Sequence, residues 1–242
     1  RWYLGIDTSN YRTSAALFNA EDQEWHNSGR LLDVPAGKIG LRQSEALFQH
    51  TLHLHEMIGR LPDISGQEIR AICVSTRPRA VEGSYMPCFL AGENVARSIA
   101  HLLQIPLYTC SHQQGHLAAA ALSANVLPWL HQREFYAWHL SGGTTELLHV
   151  RPGEDKLPLA QRIGGTTDLA AGQLVDRTGA LLGLSFPAGE ALENLANHSD
   201  SIEYFRPKVQ NCQFSLSGIE NKIQDMCTRE EASTDIAFFA LR

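Results

Sequence analysis

The hydrophobic pattern opens with Trp2-Tyr3-Leu4-Gly5-Ile6-Asp7 as a strand, Thr8 to Tyr11 as a polar turn and Thr13 to Phe18 as the returning strand. Glu24 to Leu31 reads as a third strand. Gln43 to Ile58 then changes period: Ala46, Leu47, His50, Leu54 and Met57 recur at helical spacing. Ala71 to Ser75 is short and continuously apolar, which predicts a buried strand of a parallel sheet. A helix is expected from Phe89 to Leu103 and a strand at Leu107 to Thr109. An Ala-rich helix follows, opened by His112-Gln113-Gln114-Gly115-His116.

The pattern then restarts. Phe135 to Leu140, the turn Ser141-Gly142-Gly143-Thr144-Thr145, and Glu146 to Val150 repeat the strand, turn and strand of residues 2–18. A strand at Leu157 to Ile163 and helices at Leu169 to Leu182 and Glu190 to Asn197 come next. The repetition predicts an α/β protein of two duplicated lobes, 1–130 and 131–242, with a cleft between them into which each hairpin turn points. A tandem of unrelated α/β units fits the same pattern less economically.

Composition narrows the class. The 242 residues are 43% hydrophobic with a formal net charge of −6, enough for one large domain or two modest lobes. No stretch approaches the roughly 18 consecutive apolar residues of a membrane span, so no membrane association is expected. Five cysteines, an odd number without Cys-x-x-Cys, suit the reduced core of a cytoplasmic protein. The acidic balance argues against bulk electrostatic capture of nucleic acid but leaves room for a local basic patch or a basic partner. The run Ala237 to Arg242 is apolar and helix-like without a capping residue after it, which predicts that the protein continues past this chain and that its second lobe is incomplete here.

The candidate chemistry lies at strand ends and helix starts. His112 and His116, at i and i+4, share a helix face about 5–6 Å apart at Cβ, so both rings can reach one cation; two surface histidines explain the spacing as well. Ser141-Gly142-Gly143 is a turn whose backbone N–H groups can approach phosphate. Asp7 ends an apolar strand, where a carboxylate can hold a cation or orient water near phosphate, or simply form the turn. Asp176, among Leu174, Val175 and Leu181, suits a contact to ribose hydroxyls or an ion pair with Arg177. Asp168 is expected to cap the helix that follows it. Gly189 could present backbone to a ligand. Glu45 reads equally as a solvated helix-face side chain or one facing the cleft, whereas Arg77 and Arg79 read more readily as solvated loop side chains than as contacts to phosphate or tRNA.

Taken together, Leu4-Gly5-Ile6-Asp7-Thr8-Ser9, His-x-x-Gly-His, Ser141-Gly142-Gly143, Asp168-Leu169-Ala170-Ala171-Gly172-Gln173-Leu174-Val175-Asp176-Arg177, Phe186-Pro187-Ala188-Gly189 and Phe214-Ser215-Leu216-Ser217-Gly218 resemble the tRNA threonylcarbamoyladenosine transferase family, once called O-sialoglycoprotein endopeptidase or glycoprotease. The resemblance runs in order along the chain. It implies an actin-like, hexokinase-like ATPase fold and a divalent metal, iron or zinc, on His112 and His116. It also implies an adenine nucleotide, ATP or threonylcarbamoyl-adenylate, on His139, Leu140, Ser141, Gly142, Gly143, Asp176 and Gly189. A third metal ligand, an Asp, and an adenosine-contacting Asn are implied near the family's C-terminus, outside this chain. The expected partners are tRNA and other proteins of the modification machinery.

Three departures mark a divergent paralogue: Gln114 where the family has Glu, Thr144 where it has His, and Arg77-Pro78-Arg79 where it has Gly-Pro-Gly. The expected function is metal- and nucleotide-dependent transfer of a threonylcarbamoyl group to a tRNA adenosine. The alternatives are a non-catalytic nucleotide-binding scaffold, or a small-molecule carbamoyltransferase or kinase on the same fold. Proteolysis is disfavoured because His-Glu-x-x-His is missing.

Overall fold

The computed structural model describes residues 1–9, 11–34, 41–64 and 68–242. Asn10, in the expected first turn, lies outside them. The chain divides into two units, one of Arg1–Arg133 with Pro152–Leu159, the other of Glu134–Arg151 with Ala160–Arg242. Among the described residues no helix is long and apolar enough to cross a membrane.

In the first unit, β1 (Trp2–Ser9), β2 (Arg12–Asn19) and β3 (Trp25–Leu31) form an antiparallel meander, extended by the parallel strands β4 (Ile69–Arg77) and β5 (Leu107–Ser111) in the order β3-β2-β1-β4-β5. Leu4 and Ile6 of β1 and Ile72 and Val74 of β4 point to one face. There they meet Leu54 and Met57 of α1 (Gln43–Gly59) and Ala96 and Ala100 of α2 (Phe89–Leu103). Because side chains alternate along a strand, burying Leu4 and Ile6 under these helices turns Gly5 and Asp7 to the opposite face. β5 runs directly into α3 (His112–Ser123), and α4 (Trp129–Gln132) completes the unit.

α3 starts where it does because Ser111 and Gln114 cap it reciprocally. The Ser111 hydroxyl accepts from the Gln114 N–H at 3.2 Å, and the Gln114 side chain accepts from the Ser111 N–H at 2.7 Å. This fixes His112 as the first helical residue at the end of the central sheet.

The second unit repeats the hairpin. β6 (Phe135–Leu140) pairs antiparallel with β7 (Thr145–Pro152), setting His139 opposite Glu146 and Leu140 opposite Thr145. The sheet continues through β8 (Pro158–Thr166) and the two-residue β9 (Gln213–Phe214). The core is helical: Leu174 of α5 (Ala171–Leu181), Ile223 and Met226 of α7 (Ser217–Thr228), and Ile236 and Phe239 of α8 (Ser233–Leu241) cluster together. Leu192 and Ala196 of α6 (Gly189–Ala196) pack with Ala237 beside them.

Asp168 departs from expectation. The N-cap of α5 is Ala170, whose N–H donates to the Gln173 side chain at 3.1 Å. Asp168 instead ties the chain before α5 to the Phe-Ser-x-Ser-Gly segment. It accepts from the Ser215 and Ser217 hydroxyls at 2.5 and 2.8 Å, and from the N–H groups of Leu216 and Leu169 at 2.9 and 2.6 Å.

Candidate functional site

In the first unit, the parallel pairing of β1 with β4 sets Ile6 beside Val74, so the next residues along, Asp7 and Ser75, are neighbours. β5 beyond β4 delivers His112. The Asp7 carboxylate collects all three elements. Ser9 Oγ donates to one oxygen at 2.6 Å, Ser75 Oγ donates to the other, and His112 Nδ1 stands 3.2 Å away. Burial pushes the Asp7 carboxyl pKa up. The hydrogen bond and charge of His112 and the two serine hydroxyls outweigh it, leaving Asp7 below the usual carboxylate range. On α3, His116 Nε2 reaches His112 Nε2 at 2.8 Å. Among the described residues no group of three or more His, Cys, Asp or Glu side chains converges as a metal-holding cluster.

The two Nε2 atoms stand at hydrogen-bond distance, 2.8 Å. On one tetrahedral ion at about 2.0–2.1 Å they would stand roughly 3.3 Å apart, so the rings would have to part by about half an ångström to share a cation. Gln114 takes no part in this arrangement: it is 5% exposed, and its amide N–H donates to the Pro158 carbonyl at 3.0 Å. The Pro78 carbonyl accepts from the Gln113 N–H at 3.1 Å, and the Arg79 N–H is taken by Ser84 Oγ at 3.0 Å. The Arg-Pro-Arg loop is therefore tied to the start of α3. Glu45 accepts from the Arg42 N–H at 3.2 Å and caps α1.

In the second unit, the Ser141 N–H closes the turn onto the Thr144 carbonyl at 2.8 Å. A Cβ built on Gly142 or Gly143 meets nothing within 4 Å, so these glycines leave open space beside the backbone. The tight glycine is Gly172, whose Cβ would stand 2.6 Å from the Ser141 carbonyl oxygen and 2.7 Å from Gly142 Cα. Its lack of a side chain lets the first turn of α5 rest on the Gly-Gly turn. Thr145 Oγ1 accepts from the Ala171 N–H at 2.7 Å and pins the contact. Backbone N–H groups of a glycine turn, beside a helix N-terminus, are donors of the kind an anion accepts from.

One helical turn further along α5, Asp176 accepts from the Ala188 N–H at 3.1 Å, which draws the start of α6, Gly189, towards it. The alternative of an ion pair between Asp176 and Arg177 is not the one made: Arg177 pairs with Glu220 at 2.9 Å. The structure thus brings Asp7, His112 and His116 together in one unit. In the other, Ser141, Gly142 and Gly143 gather on α5, with Asp176 beside Gly189. Ser9, Ser75, Gly172 and Thr145 escaped the sequence reasoning. Their signal is present in the Thr-Ser and Ala-Ala-Gly strings, but their partners lie on distant segments.

The Asp168 hub predicts an acid-sensitive second unit. Burial raises this carboxyl's pKa, and the hydrogen bonds from Ser215, Leu216, Leu169 and Ser217 reverse the effect and carry it far below the usual carboxylate range. A depressed folded-state pKa contributes stability above the unfolded value, about 3.9, and loses it as pH falls through the folded one. The wild type should therefore melt above Asp168→Asn at pH 7, with the gap narrowing below about pH 4. A gap in thermal midpoint that stays constant from pH 7 to pH 3 would contradict this.

Known proteins match this chain in sequence. Residues 44–239 match the family model TsaD, tRNA N6-adenosine threonylcarbamoyltransferase. A tRNA N6-adenosine threonylcarbamoyltransferase of Brucella ovis is 28% identical over 247 residues, covering 96% of this chain and 64% of the relative. One of Streptococcus mutans is 29% identical over 230 residues, covering 91% and 64%. The chain thus spans 64% of the length of these curated relatives.

Among solved structures, full-length HypF in a phosphate- and nucleotide-bound form aligns with TM-score 0.52 at 12% identity, over 98% of this chain and 43% of that one. HypF of T. kodakarensis aligns with TM-score 0.51 at 11% identity, over 99% and 38%. At such identity the likeness carries the fold alone, the actin-like α/β fold that the family resemblance implies. The family rests on the sequence match, which covers both histidines, the Gly-Gly turn and the Ala-Ala-Gly helix start. The chain is a member of the TsaD family, the tRNA N6-adenosine threonylcarbamoyltransferases, and a divergent one.

Proposed function

We propose that the chain takes part in transfer of a threonylcarbamoyl group from an adenylate to a tRNA adenosine. The observation that carries this reading is the seating of the α5 N-terminus on the Ser141-Gly142-Gly143 turn through Gly172, with open space beside both turn glycines. The adenylate phosphate lies against Gly142 and Gly143, its charge met by the backbone N–H groups and the helix dipole. Asp176 and Gly189 hold the ribose, and His139 and Leu140 line the approach from β6. The exocyclic amine of the tRNA adenosine forms the new bond to the carbamoyl carbon. The bond from that carbon to the adenylate phosphate oxygen breaks, AMP leaves, and the amine gives up a proton.

His112 and His116 hold a divalent cation, iron or zinc. When bound, such a cation would supply positive charge able to polarise a carbonyl oxygen. In this reading the protein works in the cytoplasm with tRNA and other proteins of the modification machinery. A non-catalytic scaffold reading gains nothing from Gln114, because both ends of that amide are committed to the fold around α3.

Gly143→Val tests the nucleotide site cleanly. Its Cβ meets nothing within 4 Å, so the thermal midpoint should hardly move, while the branched side chain fills the space a phosphate needs. ATP affinity measured by calorimetry should fall at least about tenfold, equal to about 1.4 kcal/mol. Equal affinity in the two proteins would remove the turn from the site. If tRNA incubated with the unaltered protein, its partners and threonylcarbamoyl-adenylate never gains the modified nucleoside, the transfer reading fails.

A further inference from the structure

We infer that Asp7 is a positioning residue for the cation site, a carboxylate that fixes the tautomer and orientation of His112 so that Nε2 is presented to the ion. The inference rests on the proposed cation at His112 and His116 and assigns the group that prepares it. Both serine hydroxyls donate to the Asp7 carboxylate and His112 Nδ1 stands 3.2 Å from it, so the acceptor draws the imidazole proton to Nδ1. That leaves Nε2 of His112 unprotonated, its lone pair facing His116 Nε2 at 2.8 Å, the hydrogen bond that a shared cation would replace.

Ser9 Oγ is 3.5 Å from the same Nε2, but the proton of that hydroxyl goes to Asp7 at 2.6 Å. Ser9 therefore does not donate to the ligating lone pair. Ser75 and Ser9 anchor the two oxygens of Asp7 from β4 and β1, so the carboxylate cannot swing away from the ring. The result is a chain from serine pair to carboxylate to histidine. In such arrangements the outer carboxylate sets ring orientation and raises ligand basicity, and its loss typically costs about 10–100-fold in metal affinity.

The arrangement also explains a choice of residue. A carboxylate at the end of an apolar strand, 29% exposed in its side chain, is costly unless its oxygens are filled. Three donors from three separate segments fill them here. A plain turn-forming Asp would bond to backbone N–H groups two residues on; the side-chain partners of Asp7 are Ser9, Ser75 and His112.

The test titrates Co²⁺ alone into the full chain, read by its visible absorption bands and by competition with a chelator of known affinity. Asp7→Ala should weaken cobalt binding about 100-fold and Asp7→Asn, which still accepts from Nδ1, about 10-fold. Both should shift the bands of the bound ion, because the ring is no longer held. Circular dichroism and thermal melting establish that the variants are folded, and Asp7→Asn serves if Asp7→Ala is not. His116→Ala, which removes a ligand, sets the floor for a lost site. If the unaltered chain takes up cobalt and both Asp7 variants bind it equally well with unchanged bands, the positioning role is overturned and the histidine site stands. If the unaltered chain takes up no cobalt, or takes up the same amount after His116→Ala, the cation site falls and this role with it.

Discussion

Gly172→Ala should destabilise the protein and cripple nucleotide capture, although the same change in most helices is favourable. Alanine gains about 1 kcal/mol over glycine inside a helix. At Gly172 the new Cβ would sit 2.6 Å from the Ser141 carbonyl oxygen, 2.7 Å from Gly142 Cα and 2.9 Å from Gly142 N. All three are backbone atoms of the closed turn, and none can rotate away as a side-chain tip would. Overpacking of this kind costs about 1–3 kcal/mol, and lifting α5 also breaks the Ala171 N–H bond to Thr145 Oγ1 at 2.7 Å. The strain outweighs the propensity gain. The thermal midpoint should drop by several degrees, at about 2–4 °C per kcal/mol for a chain of this size. ATP binding by calorimetry should be lost with it, since the helix N-terminus no longer faces the turn. A Gly172→Ala protein that melts higher than wild type would show that α5 does not rest on the turn. Gly143→Val is the counterpart: it should spare the fold and remove only the ligand.

The contrast between these two glycines marks how far the sequence could be read. Both sit in strings that announce a turn or a helix start, but only the fold says which one has open space beside it and which is pressed against backbone. Local periods carried the hairpins: Leu4 and Ile6 against Gly5 and Asp7 give the two faces of β1, and the repeat at residues 135–150 gives its counterpart. The helix at Phe89–Leu103 was legible because a broad apolar face ends at Gln104, the C-cap. By contrast, α7 buries only Ile223 and Met226 among twelve residues, too thin a stripe to read as a period. β9 is two residues long and carries no period at all.

Asp168 was misread for a related reason. Its neighbours invited a local cap, and its real partners lie 47–49 residues away on Ser215, Leu216 and Ser217. The meeting of Asp7 with His112 bridges 105 residues across β4. A pattern of periods states which face a residue takes, and the strand order states whom it meets there.

The last expected result concerns Gln114, the position where the family carries a glutamate. Gln114→Glu should destabilise this protein even though it restores the residue the resemblance implies. The side chain is 5% exposed and works at both ends: its oxygen accepts from the Ser111 N–H at 2.7 Å, and its nitrogen donates to the Pro158 carbonyl at 3.0 Å. Glutamate keeps the first bond, because a carboxylate is a good acceptor at a helix start. It cannot keep the second. An ionised oxygen would replace a donor facing a carbonyl oxygen, leaving two acceptors opposed in a buried place. An unsatisfied buried group costs about 1–3 kcal/mol and a charged one more. The gain from a negative charge at the N-terminus of α3, about 0.3–1 kcal/mol, is smaller, so the net effect is a loss. Chemical denaturation at neutral pH should show a lower midpoint for Gln114→Glu than for wild type. Equal or higher stability would mean that the contact to Pro158 contributes nothing. The glutamine is thus matched to the Pro158 carbonyl of this chain, and its presence is a record of how the chain packs around α3, independent of whether His112 and His116 hold an ion.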